Sequence, residues 1–395
     1  MMKPVLMVLM FVSASLAGCL SSEDTTSSQL EAIFDYEPDN NIRTDMQIEF
    51  DGGASLPAGG LTYKWDFDSD GSYDETGRVA TWSYSNAGNY DVTLTISDGT
   101  DSSSQTRTIK VIDADAQEPE ADPGSYSPTT DCDGDSPNSG NYYLIYICEM
   151  DKSTSSKSIL ATTSVTLDAS NSEPCEDDSQ GCDEYIAEYN WDLNLERDED
   201  GDGDPENDAD LTGETVEWKD LAPGLYKIAL TVINGAGLSN TEDTIVYVNY
   251  VGKWKEFSIG GNNSNSPVDI DFTFPSVYNT DSGNKIRKVV AELVYPKEDS
   301  DCQDLVPGDG DNCRAKIDLY AYNETDEAVM NTSSTGVDQR SSGDCNSDTD
   351  CVWLTLGSYL FTESQWNDGE WTMTVRNEMV NDLDIESLTI RVTYK

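Results

Sequence analysis

Three short blocks occur twice in this chain in the same order, and that repeat constrains the fold more than any other feature. "YKWDFDSDG" (63–71) is echoed by "YNWDLNLERDEDGDG" (189–203), and "AGNYDVTLTISDGT" (87–100) by "PGLYKIALTVINGAG" (223–237). Upstream, "EFDGGAS" (49–55) is echoed by "TLDASNS" (166–172). Self-similarity of this kind marks two copies of one supersecondary unit. Tyr90, Val92, Leu94 and Ile96, and again Tyr226, Ile228, Leu230 and Val232, alternate with period two, the pattern of a strand with one buried face. Trp65 and Trp191 fall in the middle of their copies. They are expected as the large side chains between two packed sheets rather than as sugar-stacking platforms.

These residues resemble those of polycystic-kidney-disease (PKD) domains. Such immunoglobulin-like sandwiches are marked by a Tyr-x-Trp-Asp-Phe-Gly-Asp-Gly run and a later Gly-x-Tyr-x-Val-x-Leu-Thr-Val strand. The first copy matches at Tyr63, Trp65, Asp66, Phe67, Asp70 and Gly71, then at Gly88, Tyr90, Val92, Leu94, Thr95 and Ile96. Asp68 replaces the usual first glycine, and Ser69 is inserted. The second copy keeps Tyr189, Trp191, Asp192, Gly224, Tyr226, Ile228, Leu230, Thr231 and Val232 but lacks the Phe-Gly-Asp-Gly turn. The resemblance spans residues 31–113 and 155–250, and it implies extracellular spacer or contact modules without catalysis.

Between the copies, "DADAQEPEADPGSYSP" (113–128) reads as an acidic, proline-bearing linker. Residues 129–154, with "YYLIYICEM", read as an added strand and a stapled loop of the second copy. Residues 252–395 break the repeat but offer "VDIDFTF", "KVVAELVY", "AKIDLYAY" and "WTMTVRN", short alternating strands of a further sandwich. Their end is similar to the close of a proprotein-convertase P domain, through Gly369, Trp371, Thr372, Met373 and Val375 followed by Leu388, Ile390 and Val392. The expected fold class is therefore all-β: tandem immunoglobulin-like sandwiches at 31–113 and 129–251, joined by a linker at 114–128, then a jelly roll at 252–395.

The N-terminus reads as an address. Lys3 precedes an apolar run at residues 5–17, too short to span a bilayer and shaped like an export signal. It ends in "LAGC", which resembles the lipobox of prokaryotic lipoproteins and implies that Cys19 is the lipid-modified first residue of the mature chain. Residues 20–30 then read as a flexible tether. Removing Cys19 from nine cysteines leaves eight, in near-neighbour pairs: Cys132/Cys148, Cys175/Cys182, Cys302/Cys313 and Cys345/Cys351. Eight cysteines allow on the order of a hundred connectivities, so this pairing rests on each pair bracketing a turn-rich stretch. No C-x-x-C spacing supports a thiolate metal site. In an exported archaeal protein Asn262, Asn323 and Asn331, all in N-x-S/T sequons, would be glycan acceptors.

Charge narrows the partners. Asp and Glu number 76 against 23 Lys and Arg, with no histidine, for a net charge of -53. Such a field repels nucleic acid and anionic membrane surfaces. Without histidine, Ser-His-Asp and Cys-His nucleophile systems and His-ligated zinc are excluded. A carboxylate-pair glycosidase remains chemically open.

The acid is concentrated in loops. Nine of the fifteen residues in "ERDEDGDGDPENDAD" (196–210) are Asp or Glu. The interval from Trp191 to Tyr226 is ten residues longer than that from Trp65 to Tyr90, so this stretch is a loop insertion away from the core. Asp198, Asp200 and Asp202, with Gly203 and then Asp204, give a D-x-D-x-D-G start like that of a calcium loop. Asp66, Asp68, Asp70 and Gly71 repeat it, with Asp74 at the ninth position. Gly77 and Ala209 stand where an EF-hand would place its bidentate Glu, so neither is an EF-hand. Both are candidate structural Ca²⁺ loops, with weaker counterparts in "DCDGD" (131–135) and "GDGDNC" (308–313).

The reading that follows is a non-enzymatic, lipid-anchored surface protein. Its PKD-like modules present a terminal sandwich to a cell-surface protein or a polysaccharide. The alternative is an accessory subunit of a secreted hydrolase or a glycosidase. A solute-binding lipoprotein would need helical periodicity that the chain lacks.

Overall fold

The computed structural model describes residues 30–175, 184–197, 208–262, 266–279, 283–297, 314–340 and 345–395. No α-helix occurs among them; the chain divides into two compact units between Asp115 and Ala116. The chain is all-β, as its alternation predicts.

In the first unit, β1 (Asp35–Glu37), β2 (Ile48–Asp51) and β5 (Val79–Trp82) form one sheet, ordered β1-β2-β5. The other sheet, ordered β4-β3-β6-β7, holds β3 (Thr62–Asp66), β4 (Glu75–Thr76), β6 (Gly88–Ser97) and β7 (Ser102–Val111). Val92, Leu94 and Ile96 of β6 are fully buried while the residues between them are not, the two-residue period realised. Phe34, Phe50, Trp65 and Phe67 meet between the sheets, with Phe34 edge-on to Trp65 at 5.2 Å between ring centroids. Each such ring buries about 150–250 Å², roughly 4–6 kcal/mol of gross apolar burial at about 25 cal/mol/Å². The indole N–H of Trp65 is satisfied by the Gly77 carbonyl at 2.9 Å, which ties the core to the rim turn.

The second unit opens with β8 (Tyr143–Lys152), β9 (Thr163–Asp168), β10 (Ile186–Asp192), β11 (Leu211–Thr212), β12 (Thr215–Leu221) and β13 (Gly224–Asn234). The second repeat copies the first in detail. Trp191 is fully buried and donates to the Gly213 carbonyl at 3.0 Å. Tyr226 Oη donates to the carbonyl four residues back, Ala222, at 2.9 Å, as Tyr90 does to Asn86 at 2.9 Å. Thr231 and Thr241 face each other at 2.8 Å, as do Thr95 and Ser104 at the same place in the first copy, at 2.8 Å.

The chain then enters β14 (Ser239–Ile259), β15 (Val268–Ser276), β16 (Lys288–Pro296), β17 (Ile317–Tyr322), β18 (Ala328–Asn331), β19 (Thr349–Gly357), β20 (Gly369–Asn377) and β21 (Leu383–Thr393). Numbered in chain order from β14, the two facing layers run 1-8-3-6 (β14-β21-β16-β19) and 2-7-4-5 (β15-β20-β17-β18), the strand order of a jelly roll. Trp254 and Phe257 from one layer meet Phe272 from the other, with Trp254 edge-on at 4.9 Å.

The boundary expected between 251 and 252 falls inside a single strand. Residues 239–248 of β14 pair with β13, and residues 250–259 pair with β21. Residues 246–254 pair in parallel with β8. Because β8 overlaps both partners in register, it must occupy the opposite edge from each. β13 and β21 therefore lie end to end along one edge, and β8 spans their junction on the other. The segment read as a linker also differs from a free tether: Ala121 is in the core, and Tyr143 Oη donates to the Pro123 carbonyl at 2.8 Å. Alternation along a strand records which face is buried but not which neighbour covers it.

A buried charge network locks the far end of the jelly roll. Arg340, fully buried, donates to Tyr295 Oη at 2.8 Å, to the Thr335 carbonyl at 2.9 Å and to the Asp318 carboxylate. Thr332 Oγ1 donates to the same carboxylate at 2.9 Å.

Trp191→Ala is expected to cost about 3–5 kcal/mol. With β14 shared, calorimetry should show both sandwiches of the second unit melting together at a lower temperature. Two transitions of which only one moves would contradict the shared strand.

Candidate functional site

β3 ends at Asp66, and the chain turns through 67–74 before entering β4. Ser69 and Gly71 adopt left-handed backbone (φ 54° and 86°) and wrap the turn tightly. Its carboxylates cap its own N–H groups: Gly71 donates to Asp66 Oδ2 at 3.1 Å, Phe67 to Asp74 Oδ2 at 2.7 Å and Ser72 to Asp70 Oδ1 at 2.7 Å. The structure brings together Asp66, Asp68 and Asp74, one oxygen from each lying within 4.8 Å of the others. Asp70 does not join them. Asp66 is 8% exposed, and its Oδ1 is buried without a hydrogen-bond donor. The ion pairs described in this unit, Arg78 with Asp51 and Arg107 with Asp35, lie elsewhere. Tyr84, which donates to the Phe67 carbonyl at 2.8 Å, has its hydroxyl pKa pushed well up by burial, then by Tyr90 and the charges of Asp68 and Asp74. Three uncompensated hard-oxygen donors around a buried orphan oxygen form a set that a hard cation fits.

In the second copy Asp198, Asp200, Asp202 and Asp204 lie outside the described residues. Its structural counterpart of the first turn is a different set of residues, which the acidic motif does not single out. Asp210 N–H donates to the Trp191 carbonyl at 3.0 Å and Asp210 Oδ2 accepts from Leu193 N–H at 2.8 Å, as Asp74 does with Trp65 and Phe67. Asp192 thus corresponds to Asp66, Asn194 to Asp68 and Asp210 to Asp74. The sequence signal is "DETG" (74–77) against "DLTG" (210–213), each ending in the glycine that caps the tryptophan. The interval from tryptophan to that glycine is 12 residues in one copy and 22 in the other, which places the ten-residue insertion inside this turn. With Asn194 in the middle place, one charge of the first copy's set is missing.

The remaining candidates fall as follows. Cys132–Cys148 and Cys345–Cys351 are disulfides with Cα separations of 5.4 and 5.7 Å. Cys175 is disulfide-bonded, while Cys19, Cys182, Cys302 and Cys313 lie outside the described residues. In "DCDGD", Asp131 Oδ1 caps two backbone N–H groups and Asp133 takes both arms of Arg391 at 2.9 and 3.0 Å, so this turn docks onto β21. Asn331 is exposed and Asn262 half-buried. Asn323 is 1% exposed, and its Oδ1 accepts from Thr325 and Glu327 to hold a turn. A glycan on Asn323 would require that turn to open.

A second surface had no motif to announce it. Tyr320 and Tyr322, two apart on β17, share one face of the β15-β20-β17-β18 layer with Thr374 and Asp271, in register with Tyr320, and with Arg376 and Asp269, two residues further along their strands. Arg376 forks onto both oxygens of Asp269 at 2.8 and 2.7 Å and lies 4.3 Å from the Tyr320 ring centroid. Those Asp269 hydrogen bonds hold the guanidinium firmly charged. Thr374 Oγ1 donates to Asp271 at 2.6 Å. The face is polar, charge-paired and half-exposed, with two aromatic rings set in it.

Comparison with known proteins assigns part of the chain. The family model of the PKD domain matches residues 32–112. No curated protein matches the chain. Among solved structures, similar ones include carbohydrate-binding modules of the β-sandwich superfamily (15% identity, covering 92% of this chain and 96% of theirs, TM-score 0.20). Fibronectin(III)-like modules of Clostridium thermocellum CbhA are similar at 8% identity (55% and 95% covered, TM-score 0.30). So is Bacteroides ovatus SGBP-B of a mixed-linkage glucan utilization locus, in complex with a mixed-linkage heptasaccharide (11% identity, 94% and 97% covered, TM-score 0.17).

In metal-free buffer Asp66→Asn is expected to stabilise the first unit. Asn keeps the acceptor for Gly71 while removing one of three crowded charges, for a gain of about 1 kcal/mol or about 4–8 °C in a domain of this size. A fall in melting temperature would mean that the carboxylate is already compensated.

Proposed function

We propose that this chain is an exported, non-catalytic binding protein, anchored through a lipidated Cys19, whose jelly-roll face at Tyr320, Tyr322 and Arg376 takes a neutral polysaccharide. That face is the observation that carries the reading. Tyrosine rings offer apolar planes to sugar C–H faces, and the fixed Arg376–Asp269 pair offers donors and acceptors to hydroxyls. The net charge of -53 disfavours nucleic acid and anionic polymers, which leaves neutral chains as the fitting class. Disulfides among the described residues support an oxidising, extracellular setting. No helix among those residues is long and apolar enough to cross a membrane. The PKD-like unit serves as the spacer between anchor and binding face.

Calcium has a place in this reading at Asp66, Asp68 and Asp74, where it would compensate the crowded carboxylates and stiffen the turn. At about 10 mM Ca²⁺ and the roughly 0.1–1 mM dissociation constants of extracellular modules, the first unit should gain about 1.4–2.7 kcal/mol. EDTA should reverse the gain, and Asp66→Asn should abolish it. Identical melting curves with and without the ion would remove calcium from the account.

Polysaccharide binding is tested by retarded migration of residues 20–395 in gels containing neutral glucans or mannans. Tyr320→Ala combined with Tyr322→Ala is expected to weaken retention about tenfold, at roughly 0.5–1.5 kcal/mol per ring. Retention of no neutral polymer, alongside capture of a surface protein that these substitutions release, would transfer the face to a protein partner. Release of reducing ends from any bound polymer would overturn the non-catalytic reading.

A further inference from the structure

A separate acidic region lies in the second unit and shares no residue with the tyrosine face. Segment 118–125 and the start of β14 enclose a cavity of about 870 Å³. Glu118, Glu120 and Asp122 line it from the segment, and Glu242 and Asp243 from the strand. Among the described residues none of these five carboxylates forms an ion pair with Lys or Arg. Their spacing is fixed by the backbone. Ala121 N–H donates to Asn240 Oδ1 at 3.0 Å and Asp122 N–H to Ser172 Oγ at 2.9 Å, while Glu120 and Glu173 exchange backbone bonds at 2.8 and 2.9 Å. Gly124 permits the close seat: at φ 67°, a Cβ there would lie 2.3 Å from the Asp168 carbonyl oxygen.

A second observation points to a ligand independently of charge. Thr244, which also lines the cavity, is only 5% exposed, yet its hydroxyl has no hydrogen-bond partner. A buried hydroxyl left unpaired costs about 1–3 kcal/mol, which a bound polar group would recover.

The arrangement selects among cations. The one set of three carboxylates within 4.8 Å of each other among the described residues is Asp66, Asp68 and Asp74, so the five in the cavity do not converge on a single ion. They suit a ligand with several separated positive charges. Asn141 and Asn171 in the same wall present both donors and acceptors. A polyamine, with donors alone, would leave half of that capacity unused, whereas a peptide backbone uses both. We propose that this cavity binds a Lys- and Arg-bearing peptide segment of a partner protein. This goes beyond the polysaccharide reading and does not depend on it.

Isothermal titration of residues 20–395 with the probe acetyl-Lys-Ala-Arg-Ala-Lys-amide tests it. One-to-one binding is expected, weakened about tenfold by Glu242→Gln with Asp243→Asn, two exposed positions whose change should not disturb folding. Thr244→Val, which keeps shape and loses the hydroxyl, should weaken it several-fold without lowering the melting temperature. A control pair on the other unit, Asp39→Asn with Asp101→Asn, should leave affinity unchanged. Equal weakening by the control pair, or a stoichiometry well above one, would show diffuse attraction to an acidic surface and overturn the proposal. Spermine binding as tightly as the peptide would also overturn it.

Discussion

The second unit depends on one backbone ladder. On one edge β14 pairs with β13 over residues 239–248 and with β21 over residues 250–259, while β8 covers the joint from the other edge. Two consecutive sandwiches usually meet at a short linker, and relative motion is then the default. Here the linker is replaced by strand whose N–H and C=O groups are paired on both sides, so bending at the joint would break several ladder bonds at once. Asn249, at the joint, adds side-chain support: its Oδ1 accepts from the Tyr394 N–H at 2.7 Å, which holds the end of the chain against the strand. Asp133 reaches Arg391 from the loop that leads into β8, and the Cys132–Cys148 disulfide, closing a loop of 16 residues, restrains that loop by about 3 kcal/mol in the chain-entropy view.

Rigidity of this kind allows the rim to vary. The two repeats share the tryptophan-to-glycine hydrogen bond, the tyrosine-to-carbonyl bond and a pair of facing hydroxyls, because each is tied to the buried interior or to strand pairing. The turn beyond the tryptophan is free of that duty. One copy gathers three carboxylates there, and the other has an asparagine in the middle place and ten more residues. Lengthening a surface loop is cheap, roughly 0.6 kcal/mol per doubling, so loops can diverge while the core beneath stays the same.

Much of this was legible in the sequence. Period-two alternation identified the strands of the repeats and of the jelly roll, and Trp65 and Trp191 are fully buried as their mid-copy positions imply. The first acidic turn is legible because its residues are contiguous. The second copy's equivalents, Asp192 and Asp210, are not contiguous: the insertion separates them and adds a denser acidic run of its own. Arg340 was illegible for a different reason: a lone arginine in a polar loop gives no sign that Asp318 and Tyr295 converge on it. Tyr320 and Tyr322 read only as alternate residues of "IDLYAY"; their shared face acquires meaning when Arg376 and Asp269 arrive from strands far away in the chain. The joint itself was hidden because "VYVNYVGKWKEFSI" reads equally well as the end of one domain and the start of another.

Amide hydrogen exchange along β14 addresses the joint most directly. If one continuous strand unites the two sandwiches, the amides of residues 249–252 should exchange as slowly as those of the flanking ladder, with a single opening free energy from Val246 to Trp254. Rapid exchange confined to residues 249–252, between two separately protected blocks, would show two domains joined by a hinge and contradict the shared strand.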